Sequence, residues 1–206
     1  MATKTGRGEL SRDHLLEAAR KVFRRQGYSS TTVRDIAAEA GIALGGIYRH
    51  FASKDEFVAK VLADGMVQIC QAVFDAIARL PEDATCRERV RAGIKAQIVT
   101  MRLHGESYEE AIRYQRASTS PASVWNTYRD EADKYRLLWK KLIEEGQRNG
   151  ELRIDASSTI LTFYLLGATT WVIQWQRPGR RSVERVADDF ATFFFEGVGI
   201  SCSGKS

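Results

Sequence analysis

Residues 29–54 read SSTTVRDIAAEAGIALGGIYRHFASK, and their spacing decides the fold. Val33 to Ala40 is a short helical run opened by Thr32, whose side chain can cap it by accepting a backbone N–H bond. Ala37 leaves only a methyl group where a second helix has to cross closely. Gly41 then falls where the turn needs a positive φ, which glycine adopts without steric cost. Ile36, Ile42, Ile47 and Phe51 supply the apolar positions that hold the pair together. The set joins a positioning helix to a second helix able to enter a DNA major groove.

Upstream, Leu15, Ala18, Ala19, Val22 and Phe23 repeat at the three-four spacing of an amphipathic helix, which Gly27 stops. This gives a three-helix helix-turn-helix domain over residues 1–54, with a flexible arm at 1–10. Downstream, residues 55–206 form a second helical domain. Ser53 caps a long helix from Lys54 to about Leu80, ended by Pro81. Helices are expected at Arg87–Leu103, Tyr108–Ala117, Ala122–Gln147, Ala156–Gln176 and Ser182–Val198. No segment of any length alternates with the period of a strand, so the fold class is all-α with about nine helices.

Composition excludes several classes. The net charge is +5, and the first 60 residues hold 11 Lys/Arg against 7 Asp/Glu, so most of the excess lies around the helix-turn-helix. That is the sign expected of a surface meeting phosphates, though a plain solvated face would also account for it. Cys70, Cys86 and Cys202 are odd in number and widely spaced, which indicates neither a disulfide framework nor a zinc site. No metal or other cofactor is expected. The N-terminus carries no apolar secretory run, so the chain reads as cytoplasmic. Ala156–Gln176 is uncharged over 21 residues, but its eight Ser, Thr and Gln side chains fit burial between helices or subunits better than a membrane span. Gly199–Ser206, GISCSGKS, matches a phosphate-loop spacing but follows a helix rather than a strand. No Ser-His-Asp set or carboxylate pair can be argued, so no enzyme is expected.

Residues 11–60 resemble the DNA-binding domain of the TetR (tetracycline repressor) family of bacterial regulators, most closely in Gly41–Lys54, GIALGGIYRHFASK, with its Tyr-x-x-Phe-x-Ser-Lys ending. The resemblance implies a homodimeric repressor that leaves a palindromic double-stranded DNA operator when a small molecule enters the second domain. Ala43 and Gly46 stand where the family commonly has hydroxyl side chains, which removes a cap or a phosphate contact.

On that resemblance the roles fall residue by residue. Leu44, Gly45 and Gly46 face base edges, with Leu44 suited to a thymine methyl. Tyr48, Arg49 and His50 give polar reach, and Arg34 is the candidate for a bidentate guanine or phosphate contact. Thr32 and Lys54 sit at helix starts, natural phosphate positions, and Lys4, Arg7 and Arg12 form an arm that tracks the backbone or a minor groove. In the second domain Trp125, Tyr128, Tyr135 and Trp139 form one stripe, joined by Phe163, Tyr164 and Trp171. The stripe reads either as plain core or as the wall of an effector cavity, and Arg102, His104, Arg113, Gln115 and Arg116 either as a solvated surface face or as groups for the anionic end of a ligand. The segment Trp171–Phe190 is similar to that of family members controlling lipid or steroid breakdown, which implies a hydrophobic effector or acyl-CoA thioester. The last two helices, Ile160–Gln176 and Ser182–Val198, are apolar enough to pair with their copies in a dimer. The rival reading is a helical scaffold without DNA affinity, separated from a regulator by salt-dependent, sequence-selective DNA binding.

Overall fold

The computed structural model describes residues 12–175 and 181–198, without the side chains of 103–109, 173, 174 and 198. The described residues form nine α-helices and no strand. They are α1 Arg12–Gln26, α2 Val33–Glu39, α3 Leu44–Ile47, α4 Lys54–Ala78, α5 Cys86–Ala117, α6 Asn126–Arg148, α7 Ser158–Thr170, α8 Val172–Trp175 and α9 Val183–Val198.

The number nine agrees with expectation for two compensating reasons. The helices expected at Arg87–Leu103 and Tyr108–Ala117 are one continuous α5. A single interior glycine such as Gly105 costs about 1 kcal/mol relative to alanine and does not stop a helix without a proline or a cap. The uncharged helix, by contrast, divides at Trp171 into α7 and the short α8. At thirteen residues α7 is too short to cross a bilayer. Among the described residues one helix, α4, is long and apolar enough to do so by length and composition. Half of that stretch is buried: Phe57, Val58, Leu62, Ile69 and Val73 are in the interior, while Val67 and Phe74 stay exposed.

Two compact units result, one from residues up to Asp64 with Glu106–Tyr128, the other from Gly65–Gly105 with Arg129 onward. The first is therefore larger than the 1–54 module expected from sequence. Its core gathers Leu15, Leu16, Phe23, Ile36, Ile47 and Phe51, with Phe57 and Leu62 from α4, Ala111 from α5 and Trp125 from the 3-10 turn that precedes α6. Phe23 stacks on Tyr28 and Phe51 on Phe57, with ring centroids 4.2 and 3.9 Å apart. Burying each such ring contributes about 1.5–3 kcal/mol.

In the second unit, Trp139 is fully buried against Gly93 of α5, where a Cβ would stand 2.7 Å from the indole. Ion pairs tie the unit's outside, from Arg89 to Glu145 at 2.6 Å, from Lys95 to Glu184 at 3.1 Å, and from Arg91 to Asp188. Arg91 holds the Asp188 carboxyl below its usual range.

Candidate DNA interface and effector region

The local chemistry of the helix-turn-helix follows the sequence closely. Thr32 caps α2 in a capping box: its Oγ1 accepts from the Asp35 N–H at 3.2 Å, and Asp35 Oδ2 accepts from the Thr32 N–H at 2.8 Å. Those bonds hold Asp35 below the usual carboxylate range. Gly41 takes φ +69°, and the Gly41 and Ile42 N–H groups donate to Ala38 and Ala37 at 3.1 and 3.0 Å. This is the Schellman closure of a helix. α3 is only four residues long, and Ala43 gives it no side-chain cap. Two adjacent glycines and a missing hydroxyl account for the shortness.

Around α3, Arg34, Gly45, Tyr48, Arg49 and His50 are exposed, while Leu44 and Gly46 are half-buried. Tyr48 is 53% exposed, so it is a surface residue and not part of the core. Arg12 lies with its guanidinium 4.5 Å from the Phe51 ring centroid. Lys4 and Arg7 lie outside the described residues, as does Gly199–Ser206.

The two phosphate partners expected at helix starts are already engaged within the chain. The Thr32 hydroxyl donates to Asp35 Oδ2 at 2.8 Å. Lys54 Nζ donates to the carbonyls of Tyr28, Thr31 and Ser29 at 2.9, 2.9 and 3.3 Å, and stands 4.7 Å from the Tyr114 ring centroid. An ammonium has three protons, and all three have acceptors here. Lys54 fastens the turn after α1, and burial pulls its pKa below the usual lysine value. Sequence reasoning placed it correctly at a helix start but could not see carbonyls 23–26 residues away.

The aromatic stripe does not line one cavity; it divides three ways. Trp125 is buried in the core of the first unit, with Tyr128 packed against it. Arg113 and Gln115 belong to that unit too, Arg113 beside a polar pocket of about 770 Å³ with Asp55, Glu110 and Tyr114. Tyr135 and Trp139 are buried in the second unit. There the Tyr135 hydroxyl donates to Gln97 Oε1 at 2.7 Å, and Gln97 Nε2 donates to Thr169 Oγ1 at 3.1 Å. Gln97 and Thr169 were missed in the sequence. The available signal was a lone amide within the apolar run Val90, Ile94, Ile98, Met101 of α5. Trp139 packs edge-to-face against Tyr135, with ring centroids 6.3 Å apart. Phe163, Tyr164 and Trp171 point outward instead, 54, 54 and 66% exposed. Leu161, Thr162, Leu165 and Thr169 of α7 face inward, with Thr162 and Thr169 each satisfied by a carbonyl one turn back. Arg102 is half-buried, and the side chain of His104 lies outside the described residues.

Residues 15–61 match the family "Bacterial regulatory proteins, tetR family", and residues 83–198, more than half of the chain, match "Tetracyclin repressor-like, C-terminal domain". The chain belongs to the TetR family. It is a DNA-binding transcriptional regulator with an N-terminal helix-turn-helix. Among its relatives is the HTH-type transcriptional repressor KstR2 of Rhodococcus jostii (strain RHA1), 31% identical over 95% of this chain and 92% of that protein. The solved structure of the ketosteroid transcriptional regulator KstR2 of Mycobacterium tuberculosis is 26% identical, with a TM-score of 0.65 over 96% of this chain and 97% of that one. AibR, solved with isovaleryl coenzyme A and operator DNA, shares the fold at 24% identity and a TM-score of 0.68 over 88% of this chain and 96% of that one.

Proposed function

We propose that the protein is a homodimeric repressor that reads a palindromic operator and leaves it when a hydrophobic effector or acyl-CoA thioester binds. The observation that supports DNA reading most directly is α3 itself. Its Gly45 is bare of neighbours, and Tyr48, Arg49 and His50 stand exposed beside it. With Thr32 and Lys54 engaged internally, the reading set is Arg34, Leu44, Gly45, Gly46, Tyr48, Arg49 and His50. Backbone approach at the glycines positions the helix, while Arg34 supplies a fork of donors to guanine or phosphate.

A second copy of the chain covers the rings of α7 and α9. Ile160, Phe163 and Tyr164 on α7, Trp171 at its end and Phe193 on α9 are 54–69% exposed, an apolar area that a monomer rarely leaves in water. The effector region we assign to Tyr135 and Trp139 of the second unit, with Gln97 and Thr169. The buried polar chain from the Tyr135 hydroxyl through Gln97 to Thr169 supports recognition of a ligand's polar group there. The effector acts only through its preference between two dimer states. A regulator of this kind works in the cytoplasm.

Selection of random duplex DNA by the purified protein tests this reading. An enriched palindrome is the expected result, and release by acyl-CoA thioesters is then screened on it. Enrichment without two-fold symmetry would remove the dimeric reading.

A further inference from the structure

The end of α5 does more than seal the first core. Glu110, Tyr114 and Ser118 are spaced four residues apart and so lie along one side of the helix and its continuation. Each grips the frame of the helix-turn-helix. Glu110 Oε1 accepts from the Tyr28 N–H at 2.9 Å. The Tyr114 and Ser118 hydroxyls donate to the two carboxylate oxygens of Asp55, both at 2.5 Å. Asp55 opens α4 beside Lys54, which holds the carbonyls of Tyr28, Ser29 and Thr31. The link between α1 and α2 is thus held by both Glu110 and Lys54. Gly27 makes room for the grip, since a Cβ there would stand 2.4 Å from Glu110 Oε1.

We propose that Glu110, Tyr114 and Ser118 are positioning residues for DNA reading, a polar latch at the end of α5 that fixes α2 and α3 in the setting that fits the operator. None of the three belongs to the reading set, and each acts through residues 28–31 or Asp55. The proposal rests on the DNA-reading surface assigned above, and on nothing about the effector. Polar contacts of this length suit a switch, because a shift that lengthens them past about 3.5 Å breaks them outright. Apolar neighbours such as Ala111 would slide through the same shift with little loss.

The full-length double variant Tyr114→Phe, Ser118→Ala tests this against the selected operator and a scrambled duplex, by fluorescence anisotropy at 25 °C. Circular dichroism establishes that the protein is folded. The expected result is at least a tenfold loss of operator affinity with less than a twofold change on scrambled DNA, where phosphate contacts alone act. A merely structural role would leave both affinities unchanged in folded protein. Operator affinity within twofold of wild type, or equal losses on both duplexes, would overturn the latch. If the double variant does not fold, Ser118→Ala alone carries the same measurement, with a threefold selective loss as the threshold. A wild-type protein that selects no duplex would instead count against the reading surface itself.

Discussion

α3 and α7 use the same device for different ends. Each places a glycine on the outside of a helix, Gly45 in one and Gly167 in the other, where a Cβ would meet nothing within 4 Å. Neither has the positive φ that requires glycine; that conformation belongs to Gly27, Gly41 and Gly150. Glycine in a helix costs about 0.5–1 kcal/mol relative to alanine, and no contact among the described residues requires it at either position. On the function proposed above, the neighbours of each glycine indicate what comes close to it. Gly45 stands among Tyr48, Arg49 and His50, which suit a polyanion. Gly167 stands among Phe163, Tyr164 and Trp171, with Ile160 two turns before it, which suit an apolar protein face. A missing side chain invites close approach, and the surrounding chemistry selects the partner.

Four substitutions break or sharpen this contrast. Phe163→Arg puts an unpaired charge on the α7 face and is expected to dissociate the dimer in sedimentation, lowering operator affinity by about 100-fold or more through lost bivalency. A variant that stays dimeric would move the interface elsewhere. Gly27→Ala is the internal control, a glycine needed by the chain itself. Its φ of +78° and the Glu110 carboxylate both oppose a Cβ, so a loss of more than about 1–2 kcal/mol in urea unfolding is expected. Gly45→Ala is expected to do the reverse, stabilising the fold by about 0.5–1 kcal/mol while weakening operator binding by about 1–3 kcal/mol. Were affinity to hold as stability rises, DNA would not approach the α3 backbone. Gly167→Ala carries the smallest effect: a stabilisation of about 0.5–1 kcal/mol in the monomer, offset by a dimer dissociation constant raised several-fold in a dilution series.

What was legible in the sequence obeys local rules. The stop at Gly27, the cap at Thr32 and the turn at Gly41 depend on residues within a few positions of one another, and the structure has them all. The misassignments share a different cause. Trp125 seemed to continue the stripe of Tyr135 and Trp139, but α6 begins at Asn126 and Trp125 lies in a 3-10 turn, where the 3.6-residue phase no longer applies. In α7 almost every side is apolar, so periodicity could not tell which residues face inward, and the small Thr162 and Thr169 were buried in place of the rings. The employment of Lys54 and Asp55 depends on partners 23–63 residues away, a distance no window of sequence spans.

The core of the first unit draws Ala111 and Trp125 from far beyond the helix-turn-helix motif. During translation, the DNA-reading end therefore waits for its last pieces until more than half of the chain has been made. The segment that arrives last is also the one that carries Glu110, Tyr114 and Ser118. A protein cut short before residue 106 would lack Ala111 and Trp125 and leave the core they belong to incomplete and open to proteases.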